Sequence, residues 1–105
     1  MDMVEIKSVG VIGAGQMGSG IAHVCALGGY EVRLHDVSRE RIEAGVSIVE
    51  QAMARQVSRG MIDQAQMDAA LGRIKPAVEL QDVGATDLAI EAATENEEVK
   101  KTIFR

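Results

Sequence analysis

The stretch that most constrains this chain is Gly13-Ala14-Gly15-Gln16-Met17-Gly18, because of what flanks it. Before it runs SVGVIG, from Ser8 to Gly13, apolar on both parities as a strand buried on both faces has to be. After it Met17, Ile21, Val24, Cys25 and Gly28 recur at helical spacing, and Gly28-Gly29 supplies the punctuation that ends a helix. A second strand is expected over Glu31–Asp36, and it stops at an acid 18 residues after Gly18. A glycine turn alone says little in a chain with 11 glycines. Strand, turn, helix, strand and acid in register say much more.

In that frame each glycine has its own task. Gly13 permits the tight turn out of the strand. Gly15 lets backbone approach a pyrophosphate with no Cβ in the way. Gly18 allows the helix to pack closely on the sheet. The helix start offers unpaired N–H groups and a partial positive charge to an anion. Asp36 stands where a carboxylate accepts from both hydroxyls of an adenosine ribose and repels a 2′-phosphate, which favours NAD over NADP. Arg39 and Arg41 lie close enough to weaken that preference. The plainer reading keeps the glycines for packing and Asp36 as an acid flanking a helix.

Further along, Ser38 can N-cap a long helix to about Arg59, striped by Ile42, Val46, Val49, Met53 and Val57 and ended by Gly60. Asp63 and Gln66 have capping-box spacing for a shorter helix through Leu71, with Gly72 closing it. Ile74–Val78 reads as a third strand, at a sheet edge because of Pro76. Asp87–Ala93 reads as a fourth. Thr94 and Glu97 could cap a last helix carrying Val99, Ile103 and Phe104. Helical crossovers between the early strands mark a parallel α/β sheet. The expected fold is a Rossmann-type dinucleotide-binding domain, a parallel sheet with helices on both faces, incomplete as it stands.

Composition then removes other classes. The chain has 105 residues, a net charge of −5 and 2% aromatics, which lacks the basic footprint and stacking rings of nucleic-acid binders. The single cysteine, Cys25, excludes a disulfide framework and suits a reducing, cytoplasmic setting. No apolar run approaches the roughly 20 residues of a membrane span, and MDMVEIK is unlike a signal peptide. His23 falls off the helical stripe and reads as a partly exposed surface residue, while His35 lies on a strand and reads as packing or helix-contacting rather than catalytic. Cys25 reads as buried and inert. Residues 79–105 hold seven acids against three bases, which could be an acidic tail.

The blocks VGVIGAGQMGSGIAHVCALGGYEVRLHDVSRERIEAG and AIEAATENEEVKKTIF together resemble the NAD-binding domain of the 3-hydroxyacyl-CoA dehydrogenases, nearest to the bacterial 3-hydroxybutyryl-CoA enzymes. The first block is shared with other dehydrogenases; the second is more particular. The resemblance covers essentially the whole chain, residues 1–105, as the N-terminal part of the NAD-binding domain. It implies NAD as cofactor, with Gly13, Gly15, Gln16, Met17 and Gly18 around the pyrophosphate and Asp36 on the adenosine ribose. It also implies Glu95 and Lys100 beside the nicotinamide half, where a sheet ordered 3-2-1-4 opens its crevice between the first and fourth strands. Read without the resemblance, Glu95 is a first-turn acid and Lys100 a solvated base.

The family's long second helix approaches the coenzyme A part of an acyl-CoA substrate with basic side chains, which singles out Arg59 and then Arg55. On residues alone these belong to an exposed, salt-bridged face. The family's reaction is reversible hydride transfer between the C3 hydroxyl of a 3-hydroxyacyl-CoA and NAD, in fatty-acid or butanoate metabolism. Its proton is handled by a His–Glu pair that lies later in the family than Arg105, as does the helical domain that completes the cleft and forms a homodimer. No catalytic residue and no metal ligand is therefore assigned within the chain, and the chain by itself is expected to be inactive. Two other readings stay open: a stand-alone NAD-binding or redox-sensing module, and a related dehydrogenase of the 3-hydroxyisobutyrate or gulonate type.

Overall fold

A computed structural model describes residues 6–92 and, as backbone, residues 100–103. Five strands and four helices follow in the order β1 (Ser8–Ile12), α1 (Gln16–Leu27), β2 (Glu31–His35), α2 (Arg39–Ser58), α3 (Gln64–Arg73), β3 (Ile74–Pro76), α4 (Leu80–Gly84), β4 (Leu88–Glu91) and β5 (Lys100–Ile103). The sheet is ordered β3-β2-β1-β4-β5. The first four strands are mutually parallel, with Val9 opposite Val32 and Leu88, and Val32 opposite Ile74. β5 is antiparallel to β4. Among the described residues no helix is long and apolar enough to cross a membrane.

Alternation along the strands sends successive side chains to opposite faces. Val9, Val11, Val32 and Leu34 face one way and join Ala22 and Ala26 of α1, Val49 and Met53 of α2 and Met67 and Ala70 of α3 in the larger core. On the other face Ala89 and Ile12 pack with Ala77 and with Val83 of α4. Gly10 belongs to this second face because a Cβ there would stand 2.5 Å from Val83 Cγ1 and 2.8 Å from Thr86 Oγ1. Helices therefore cover both faces, as expected.

Caps set the ends of α2 and α3. Ser38 Oγ accepts from Arg41 N, and Gly60 leaves α2 with φ +74°. Asp63 and Gln66 form the full capping box, each side chain accepting from the other's backbone N–H. Pro76 lies on edge strand β3, where its missing N–H leaves no ladder bond unmade.

Several expectations are corrected. In α1 the buried residues are Gly18, Ser19, Ala22 and Ala26, while Val24 is 71% exposed. The helix lies so close to the sheet and to α2 that only small side chains fit, and small residues carry little hydropathy signal. Gly72 does not close α3, which runs to Arg73 and passes straight into extended backbone at Ile74 (φ −93°, ψ 117°), so no left-handed residue is needed. β3 ends at Pro76 rather than Val78, and β4 starts at Leu88 because the Asp87 carboxylate turns back to accept from Lys7 N and Ser8 N. The five-residue α4 was not expected; one turn and a half is too short to show a period.

The predicted last helix is also corrected where it is described. Lys100–Ile103 is strand β5, pairing with the outer edge of β4 and satisfying backbone groups that an open edge leaves unmade. The β-branched Thr102 and Ile103 suit that conformation. Thr94, Glu95, Glu97, Val99 and Phe104 lie outside the described residues.

Candidate functional site

The glycine turn sits at the carboxyl edge of the sheet, between the ends of β1 and β2. Gly13 has φ +109°, a left-handed value that disfavours any Cβ, and its N–H extends the ladder by donating to His35 O at 2.7 Å. A Cβ at Gly18 would overlap the Gly13 carbonyl, so the first turn of α1 can fold onto the end of β1 only with glycine there. Gly15 is different. It is exposed, and nothing lies within 4 Å of where its Cβ would be. That open backbone is a surface another molecule can approach.

Gly15 is also the N-cap of α1, so no side chain caps the helix, and its first turn contains no acid. The first N–H groups of a helix have no intrahelical partner and carry the positive end of the dipole. Gln16 is exposed and Met17 half-buried beside them. Such an end is suited to an anion with several oxygen acceptors.

Ala14, 4% exposed, is held on three sides. Its N–H donates to Asp36 Oδ2 at 2.8 Å and its carbonyl accepts from Ser19 Oγ at 3.1 Å. Its methyl lies against α2 at Gly45, where a Cβ would stand 2.7 Å from both Cβ and O of Ala14. Asp36 is half-buried and also accepts the Val37 N–H through Oδ1 at 2.6 Å. Two carboxylate oxygens offer about four acceptor sites, so acceptor capacity is left for a diol. Val37, 83% exposed, and the exposed Arg39 and Arg41 follow directly.

Gly13, Gly15, Gln16, Met17, Gly18 and Asp36 are thus brought to one edge. Arg55 and Arg59 are not. Both are exposed, and they lie about 15 and 20 Å further along the axis of α2 than Gly45. The backbone of Lys100 is paired with Glu91, which is paired with Ile12, so it lies at the same sheet edge as the turn. His35 Nδ1 is 2.7 Å from Ala77 O and His23 Nε2 is 2.6 Å from Gln56 Oε1, so each imidazole links two elements. Cys25 is half-buried, and burial pushes its thiol pKa up, away from the reactive thiolate. Among the described residues no cluster of His, Cys, Asp or Glu could hold a metal ion.

Sequence reasoning missed Ser19 and Gly45. A glycine inside an apolar-striped helix costs about 1 kcal/mol relative to alanine, so Gly45 was a readable sign of close backbone approach. Ser19 left no such sign.

Comparison with known proteins agrees with this geometry. The family model described as 3-hydroxyacyl-CoA dehydrogenase, NAD binding domain, matches residues 8–105. A 3-hydroxybutyryl-CoA dehydrogenase from Bradyrhizobium diazoefficiens is 52% identical over 99 residues, covering 94% of this chain and 34% of that protein. A 3-hydroxyadipyl-CoA dehydrogenase from Escherichia coli is 37% identical over 102 residues, covering 97% and 22%. The crystal structure of an (S)-3-hydroxybutyryl-CoA dehydrogenase from Ralstonia eutropha superposes with a TM-score of 0.84 at 41% identity, covering 88% of this chain and 32% of that one. The chain spans about a third of the length of these 3-hydroxybutyryl-CoA relatives.

Proposed function

This chain belongs to the 3-hydroxyacyl-CoA dehydrogenase family, matching its NAD-binding domain, and from that premise we propose what it does. It forms the cofactor part of an enzyme that moves a hydride reversibly between C3 of a 3-hydroxyacyl-CoA and NAD, in fatty-acid or butanoate metabolism. 3-Hydroxybutyryl-CoA is the substrate to try first, given what the most similar relatives are named for. The observation carrying this reading is an uncapped helix start beside open backbone at Gly15, with the Asp36 carboxylate at the same edge.

When bound, NAD supplies the hydride acceptor. Gly13, Gly15, Gln16, Met17 and Gly18 surround its pyrophosphate, and Asp36 accepts from the adenosine ribose hydroxyls while keeping its bond to Ala14 N. Glu95 and Lys100 serve the nicotinamide half. Arg59 and Arg55 meet the anionic groups of coenzyme A, as the family resemblance implies for basic side chains on this helix. Hydride transfer also requires a base for the C3 hydroxyl proton. By resemblance to the family that base is a His–Glu pair from a region later than Arg105, and His23 and His35 here are each engaged in a contact within the chain. That whole enzyme is proposed as a cytoplasmic homodimer with neither membrane nor nucleic acid among its partners.

Calorimetry on the 105-residue chain tests the cofactor assignment. NADH binds more tightly than NADPH; equal affinities would remove Asp36 from its role. Acetoacetyl-CoA-dependent oxidation of NADH by this chain stays at background, and robust turnover would show that the base lies within it.

A further inference from the structure

Ser19 has no place in the cofactor reading so far, yet it is fully buried and its hydroxyl is committed to one acceptor, the carbonyl of Ala14. That carbonyl belongs to the peptide joining Ala14 to Gly15. The described chain has no cis peptide bonds, so the Ala14 C=O and the Gly15 N–H point in opposite directions from one rigid plane. Drawing the carbonyl inward under α1 therefore turns the Gly15 N–H outward. Outward is the open side, where Gly15 is exposed and nothing stands within 4 Å of its Cβ position.

The preceding peptide is held as well. The Ala14 N–H is consumed by Asp36 Oδ2, and the Ala14 methyl is backed by α2 at Gly45. With Ala14 fixed from β2, α1 and α2, the Gly15 N–H cannot swing without breaking a bond that is buried. An N–H aimed before the ligand arrives does not have to be ordered by binding, and this is how preorganisation raises affinity.

We propose that Ser19 is a positioning residue for the cofactor's pyrophosphate, acting through the Ala14–Gly15 peptide to aim the Gly15 N–H at it. The inference rests on the NAD-binding reading and adds a residue outside the glycine motif to it. Its signature is selective. Loss of the hydroxyl weakens ligands that carry a pyrophosphate and leaves untouched those that reach only the Asp36 end.

The test compares ADP-ribose with adenosine on the 105-residue chain, by calorimetry for the first and NMR titration for the second. Ser19→Ala is expected to weaken ADP-ribose by about five- to tenfold, part of the worth of one hydrogen bond to a charged group, with adenosine unchanged. If Ser19→Ala does not fold, Ser19→Cys keeps the volume with a much weaker donor and carries the same comparison. Equal losses for both ligands would mean general loosening and overturn the proposal, and so would no loss for either. If the unaltered chain binds neither ligand, the NAD-binding reading itself fails, which is a different result from selective insensitivity to Ser19.

Discussion

The Asp36 carboxylate accepts the Ala14 N–H at 2.8 Å, tying the end of β2 to the turn that leaves β1. The acid expected to meet a ribose is thus already part of the scaffold that shapes the glycine turn. The two roles separate by substitution. Asp36→Asn keeps an acceptor oxygen for Ala14 but loses the charge. It should cut NADH affinity by about tenfold and bring NADH and NADPH close to equal, with a small change in stability. Asp36→Ala removes the acceptor too. It should cost roughly 1–3 kcal/mol in urea unfolding, because the Ala14 amide is left buried without a partner.

The glycines of α1 are not equivalent. At Gly18 an added methyl overlaps the backbone of Gly13, which cannot move aside, whereas at exposed Gly20 it meets nothing within 4 Å. Gly18→Ala should cost about 3 kcal/mol or more. Gly20→Ala should stabilise by roughly 0.5–1 kcal/mol, through reduced freedom of the unfolded chain. Chemical denaturation of the two variants checks the opposite signs.

At Gly45 two effects oppose each other. Alanine gains about 1 kcal/mol of helix propensity but presses a methyl on Ala14, at a cost of about 1–3 kcal/mol. Net stability of Gly45→Ala should therefore fall by no more than about 2 kcal/mol. Since the pressure falls on the turn, NADH affinity should drop several-fold, as calorimetry would read.

The Asp87 carboxylate accepts from the backbone of Lys7 first and then of Ser8, and these bonds hold its pKa below the usual aspartate value. The folded pKa is depressed. Its contribution is therefore fully present above an unfolded value of about 3.9 and is lost as pH falls through the folded one. Asp87→Asn should be less stable than the parent at neutral pH, and the difference should shrink on acidification. Urea midpoints measured across that range would show whether the two curves converge.

Elements whose signals are local were legible in advance. The capping box at Asp63 and Gln66, the Ser38 cap, edge placement of Pro76 and the parallel sheet with α1 and α2 crossing over all follow from residue type and spacing. The turn's glycines and Asp36 were legible for the same reason, since each task constrains a single residue. The buried stripe of α1 was misread, because Gly18, Ser19, Ala22 and Ala26 are small rather than hydrophobic and are chosen by closeness of approach. Lys100 was assigned to a helix, whereas its segment is a strand whose conformation is set by the pairing edge of β4.

The seven acids of residues 79–105 sharpen the division. Two of the described ones are built into the fold, since Asp87 holds the backbone of Lys7 and Ser8 and Glu91 lies on β4. By itself the sequence determined the α/β class, the position of the glycine turn and the acid that faces it. Only the tertiary structure decided that Ser19, Asp36 and Gly45 converge on Ala14. Such convergence joins residues from three separate segments on one residue, and no periodicity or spacing along a chain encodes a contact between segments that meet only when the core closes.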